Sequence, residues 1–222
     1  RFVWKGITAF RLAEFIAHGR EDEAIRYMQW AREQDVTVLR VLLMAKHLFA
    51  LTPEDGLNAL PRLLELAAAQ GLYVEVVALA DTASYRVNYE AYIHEVGAVC
   101  IRYPNAILEL GNELKTIHQT QDSKLGDVSY LKSLMGLVPT DVLVSLGSTH
   151  ADQDESHDMR DGDFLTIHGD RSDGDGGWRW IRHTNEQRAV SANTGKYAVN
   201  DEPMRADLAG DKQLGIAVLC RI

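Results

Sequence analysis

The sequence predicts an α/β fold, a compact (β/α)8 TIM barrel that takes up residues 1–222 as a single domain. Three observations carry this expectation. Short apolar runs rich in β-branched residues alternate with longer stretches of helical periodicity along the whole chain. Eight such runs can be marked, and strands joined by crossover helices must run parallel. A length of 222 residues with 46% hydrophobic content is enough for one large core, although it falls below the ~250 residues usual for the barrel. The expected economy is the absence of a helix after the eighth strand.

FVWKGIT (2–8) reads as the first strand, and EDEAIRYMQWAREQ (21–34) as a helix with Ala24, Ile25, Met28, Trp30 and Ala31 largely on one face. VTVLRVLLM (36–44) is the second strand, followed by a helix in LNALPRLLELAAAQ (57–70), which Gly71 stops in the manner of a C-cap glycine. LYVEVVALA (72–80) is the third strand and NYEAYIHEVGAVCI (88–101) the next helix. AILELG (106–111), a helix near 127–137, DVLVSLG (141–147) and DFLTIHG (163–169) continue the alternation. A helix in WRWIRHTNEQRAVS (178–191) and strands in YAVND (197–201) and GIAVLC (215–220) complete it.

Composition narrows the function. Against 32 Asp plus Glu stand 23 Lys plus Arg, a formal charge of -9 that argues against a surface built to hold nucleic acid or an anionic membrane. No run approaches the roughly 20 apolar residues that span a bilayer, so no membrane insertion is expected. The chain opens on Arg1 with no signal-peptide pattern, which fits a secreted or a cytoplasmic protein alike. Cys100 and Cys220 sit in apolar runs without metal-ligand spacing and read as buried free thiols. The loops 151–163 and 169–178 are rich in Asp and Gly; they read as solvated loops, a calcium site being the alternative, though their spacing matches no EF-hand. No GxGxxG, Walker loop or GxSxG elbow is found, and neither a cofactor nor a metal is expected.

Two segments carry the chemistry. Residues 108–114 read LELGNEL and 197–203 read YAVNDEP, each an apolar run that ends on a glutamate. In a parallel barrel the C-terminal strand ends hold the reacting groups, and these are the ends of strands four and seven. Either glutamate alone could simply favour a helix N-terminus. Together, Glu113 and Glu202 supply the two carboxylates that glycoside cleavage needs, one to protonate the leaving oxygen and one to attack or to activate water.

The run ELGNEL, with Asn112 directly before Glu113, resembles the fourth-strand motif of the clan A glycoside hydrolases, which include the family-five cellulases and mannanases. The resemblance implies that Glu113 is the acid/base, that Asn112 bonds the sugar 2-hydroxyl and that Glu202 is the nucleophile of a retaining β-glycosidase. VTVLRVLL resembles the second strand of the family-five enzymes, where an arginine keeps the nucleophile ionised; that arginine maps onto Arg40. Read from the residues alone, Arg40 could instead pair with Glu75 or Glu109 deeper in the barrel. WKGITAF (4–10) is similar to the first strand of such enzymes.

Other residues stand where a carbohydrate substrate could reach them. His168 ends strand six and His150 follows strand five, while His47 and Asp81 follow strands two and three as possible hydroxyl-binding groups. Trp178, with Trp180, offers a stacking face for a sugar, the alternative being helix packing. Two departures from the family stand out: no aromatic platform follows strand eight, and the third strand ends ALADTASY rather than on a histidine. They imply a reduced subsite or lost activity. The competing readings are accordingly a carbohydrate-binding pseudoenzyme with the same barrel and a metal-dependent barrel hydrolase using His168, Asp170, Asp201 and Glu202.

Overall fold

The computed structural model describes residues 2–114, 122–147, 161–167 and 195–200. Strands β1 (Gly6–Thr8), β2 (Val38–Leu42), β3 (Tyr73–Leu79), β4 (Ala106–Gly111) and β5 (Val144–Ser145) form one parallel sheet in chain order. Strand β6 (Leu165–Ile167) pairs in parallel with β7 (Ala198–Asn200). Helices α1 (Leu12–Ala17), α2 (Glu21–Glu33), α3 (Pro53–Ala69), α4 (Tyr89–Cys100) and α5 (Val128–Met135) form the crossovers. The expected eighth strand and the helix over 178–191 lie outside the described residues.

Strand periodicity divides the sheet into two faces. Leu39 and Val41 of β2 pack in the main core with Val74 and Val76 of β3 and with Leu63 and Leu64 of α3. The alternate residues Leu42 and Val77 belong to a separate, smaller apolar cluster with Ala45 and Ala80, against which Phe10 and Phe49 pack. On that second face the charged Arg40, Glu75 and Glu109 are also buried, so the inner side of the sheet is a packed mixture of apolar and paired polar groups.

Two contacts bend the strands toward closure. Trp4 and Phe164, which precede β1 and β6, meet with ring centroids 5.7 Å apart. In a flat sheet five strand intervals would separate those ends by roughly 24 Å. At the junction of the two sheets the Val144 N–H donates to Asp163 Oδ2 at 2.9 Å, the Asp163 N–H donates to the Val144 carbonyl at 2.7 Å, and Ser145 Oγ lies 2.8 Å from Thr166 Oγ1. The described strands therefore curve as an incomplete barrel. Gly147, at φ 98°, closes the end of β5 onto β4, since a Cβ there would lie 1.9 Å from the Gly111 carbonyl oxygen.

Helix α3 begins earlier than its apolar periodicity indicates. Thr52 caps it by accepting the Asp55 N–H at 3.1 Å, and Pro53 occupies the first turn, where a missing N–H costs nothing. Gly56 then lets this first turn rest on the end of β2, because a Cβ would fall 1.8 Å from the Leu43 carbonyl oxygen. Gly71, at φ 70°, follows the helix as the periodicity predicts.

Three expectations are corrected. The first strand covers only residues 6–8, because Phe2 and Val3 are exposed and lie outside the ladder. Helix α1 was not anticipated, its six residues being too few to show a period. On α2, Ala24, Met28 and Ala31 are fully buried, whereas Trp30 is 47% exposed and packs beside Tyr27. Residues 24, 28 and 31 follow the i, i+4, i+7 stripe, and residue 30 sits well off it.

Candidate active site

The carboxyl ends of β2, β3 and β4 gather the candidate residues that the structure describes. Parallel register sets Arg40 beside Glu75 and Val77 beside Glu109, with all of these residues buried on the inner sheet. The guanidinium of Arg40 reaches across β3 to β4. Its Nε donates to Glu109 Oε2 at 2.8 Å and its Nη2 to Glu109 Oε1 at 2.9 Å. The two side chains are 2% and 0% exposed, so both charges have been taken out of water and this bidentate contact offsets part of that cost. The Phe10 ring stands 5.6 Å from the Arg40 Cζ and covers the pair.

A further bond runs from this pair to the strand end. Arg40 Nη2 donates to Asn112 Oδ1 at 2.9 Å, and Asn112 is itself buried. Arginine has donors only, so this contact fixes which end of the amide is oxygen and makes the Nδ2 group the donor end of Asn112. The Asn112 backbone N–H donates to the Leu79 carbonyl at 2.9 Å, continuing the β3–β4 ladder one step past the Leu79–Gly111 pair.

Glu113 comes next, half-buried and at φ 44°. A glutamate in the left-handed region is uncommon and costs on the order of 1–3 kcal/mol, a strain that surrounding structure must hold and that gathers at functional positions. Asp81, two residues past Leu79 on the neighbouring strand, is also left-handed at φ 52°. Two adjacent strands are thus each followed, two residues past their last paired position, by an acidic residue with positive φ.

Of the residues expected from the sequence, Arg40 and Asn112 come together here through the bond described, and Glu113 directly follows Asn112. Arg40 takes Glu109 as its ion-pair partner, one of the two alternatives that its sequence context allowed. Glu202, His150, His168 and Trp178 lie outside the described residues, as do Trp180, Asp170 and Asp201. What the sequence reading underrated is Glu109 as the group that orients Asn112 through Arg40. Inward alternation on β2 and β4 is the signal that points to it. The Ser145–Thr166 contact and the buried Asp81 were likewise weakly marked.

No protein-family profile matches the chain, and no curated protein matches it in sequence. Solved structures do match. GH5_18 from Bifidobacterium longum subsp. longum is similar with a TM-score of 0.60 at 12% identity, over 90% of this chain and 59% of its own. A glycoside hydrolase family 5 mannosidase from Rhizomucor miehei gives 0.61 at 11% identity, over 89% and 67%. The hyperthermostable endo-1,4-beta-D-mannanase from Thermotoga petrophila gives 0.61 at 14% identity, over 98% and 85%. The chain spans 51% to 59% of the length of several of these structures. The fold is therefore that of an incomplete (β/α)8 barrel, similar to the barrels of these glycoside hydrolase family 5 structures.

Proposed function

We propose that this chain is the catalytic barrel of a retaining β-glycoside hydrolase, one domain over residues 1–222, with Glu113 as acid/base and Glu202 as nucleophile. The observation that carries the reading is the Asn112–Glu113 pair at the end of β4, with Asn112 held by the buried Arg40–Glu109 pair and Glu113 turned into the left-handed region. Neutral β-linked glycans are the substrate class, and β-mannosides lead among them. Similar folds are a mannosidase, an endo-1,4-beta-D-mannanase and a GH5_18 protein in complex with Manb1-4GlcNAc. The formal charge of -9 likewise favours an uncharged ligand over an acidic one.

In this mechanism the Glu202 carboxylate attacks the anomeric carbon while Glu113 gives its proton to the departing glycosidic oxygen, and a covalent glycosyl-enzyme forms. Water then enters, Glu113 takes its proton, and the sugar leaves with its configuration retained. The donor end of Asn112 suits the sugar 2-hydroxyl, a contact that strengthens in the transition state of such reactions. The first test is turnover of aryl β-mannosides and β-glucosides by the native chain, Glu113→Ala and Glu202→Ala. Loss of turnover in Glu202→Ala, with azide rescuing it as an α-glycosyl azide, supports the assignment. A native chain that binds sugar without turnover is a binding protein instead.

A further inference from the structure

A second group of bonded side chains lies at the same end of the sheet, apart from the residues assigned to catalysis above, and includes His47 and Asp81, which the sequence marks as hydroxyl-binding candidates. The chain leaving β2 forms a narrow loop, closed where Ala45 and Leu51 exchange backbone hydrogen bonds at 3.1 and 3.2 Å. At its tip, Asp81 Oδ2 accepts the backbone N–H groups of Lys46 at 2.5 Å and of His47 at 2.8 Å. Asp81 Oδ1 accepts Ser84 Oγ at 2.9 Å and faces His47 Nδ1 at 3.2 Å. Ser84 Oγ lies 3.1 Å from the same nitrogen. Tyr85 adds a bond from its hydroxyl to the Leu51 carbonyl at 2.9 Å.

The asymmetry of this cluster is informative. Asp81 is 6% exposed, whereas the His47 side chain is 69% exposed. An exposed imidazole ordinarily samples several rotamers, yet here a buried carboxylate and a hydroxyl both meet its Nδ1. A carboxylate can only accept, so the Nδ1 position carries the hydrogen, and in the tautomer this selects the lone pair lies on Nε2. Holding one exposed ring in one orientation and one tautomer removes the ordering cost that a ligand would otherwise bear. The loop follows the strand that carries Arg40 and opens on the face where barrel loops build binding sites.

From these contacts we propose that His47 is a specificity-determining residue of an outer glycan subsite, where Nε2 accepts a hydroxyl of a neutral sugar unit remote from the cleaved bond and Asp81 and Ser84 act as positioning residues. This rests on the glycosidase reading for the nature of the ligand. A remote subsite makes a forecast that a general structural role does not: the effect grows with the length of the glycan.

The test uses the full chain carrying Glu113→Gln, which blocks hydrolysis under the proposed function, titrated calorimetrically with mannotetraose and with mannose. Adding His47→Ala weakens mannotetraose binding about tenfold, the size of one good hydrogen bond, and leaves mannose binding unchanged. His47→Gln, which keeps an acceptor on a side chain of similar reach, recovers part of that loss. Equal mannotetraose affinity with and without His47 overturns the proposal, as does an equal loss for both sugars. The hydrolase reading fails separately, on the native chain, if mannotetraose binds but is never cut, and the His47 comparison keeps its meaning in that case. Failure of the native chain and of the Glu113→Gln chain to bind mannotetraose overturns both.

Discussion

Arg40 and Glu109 meet edge to edge, two hydrogen bonds joining the guanidinium to the carboxylate at 2.8 and 2.9 Å, with both groups withdrawn from solvent. Removing one member of such a pair takes from the other charge a partner that burial makes hard to replace. Glu109→Gln is expected to destabilise the chain by roughly 3–5 kcal/mol. Urea unfolding measures it, and a loss below about 1 kcal/mol would show that water replaces the missing charge.

Arg40→Lys separates charge from geometry. Lysine keeps the positive charge but lacks the planar fork that bonds both oxygens of Glu109 while reaching Asn112. Under the proposed function, misplacing Asn112 lowers kcat/KM on aryl β-mannosides by up to about 100-fold, while the fold stays intact by circular dichroism. Unchanged kinetics would remove Asn112 orientation from the mechanism.

Gly147 is placed for a close approach that no other residue allows. With φ at 98° and the Gly111 carbonyl oxygen 1.9 Å from the position of an added Cβ, Gly147→Ala must push β5 away from β4. A destabilisation of roughly 2–4 kcal/mol is expected from strain and overpacking together. Thermal unfolding reads it directly, and a Tm equal to that of the native chain would contradict the packing described.

Glu14 links stability to acidity. Burial opposes its ionisation, but hydrogen bonds from Arg11 and His18 and the charges of Arg11 and Arg20 outweigh that and hold the carboxyl below the usual range of 4.5. The unfolded chain therefore takes up this proton first. The stabilisation is complete above about pH 5 and fades as the pH falls through the folded value. Native chain and Glu14→Gln should thus differ most near neutrality and converge in acid. A stability gap that is constant with pH would show that Glu14 acts by packing alone.

Much of this architecture was legible because strands β2, β3 and β4 are nearly continuous apolar runs, as strands buried on both faces must be. Cys100 is buried as its apolar context indicates, and burial pushes its thiol up to about 12. The site was legible only in part. Asn112 and Glu113 are adjacent in the sequence, so their pairing needs no tertiary knowledge. The partner of Arg40 does need it: Glu75 and Glu109 are both inward and acidic, and only the reach of the guanidinium across β3 decides between them. Likewise nothing local in ALADTASY shows that Asp81 bonds a loop more than thirty residues earlier, at Lys46 and His47.

The contact between Trp4 and Phe164 has a consequence for how the chain acquires its shape. Those rings are among the most distant partners in the sequence, and closing so long a span costs entropy that only later contacts repay. During synthesis, β1 can pair with β2 as soon as residue 42 is free, but the indole of Trp4 must wait for α3, β3, α4, β4, α5 and β5 to emerge before its neighbour exists. Early chains therefore carry an uncovered aromatic end, the kind of surface through which incomplete barrels associate with one another.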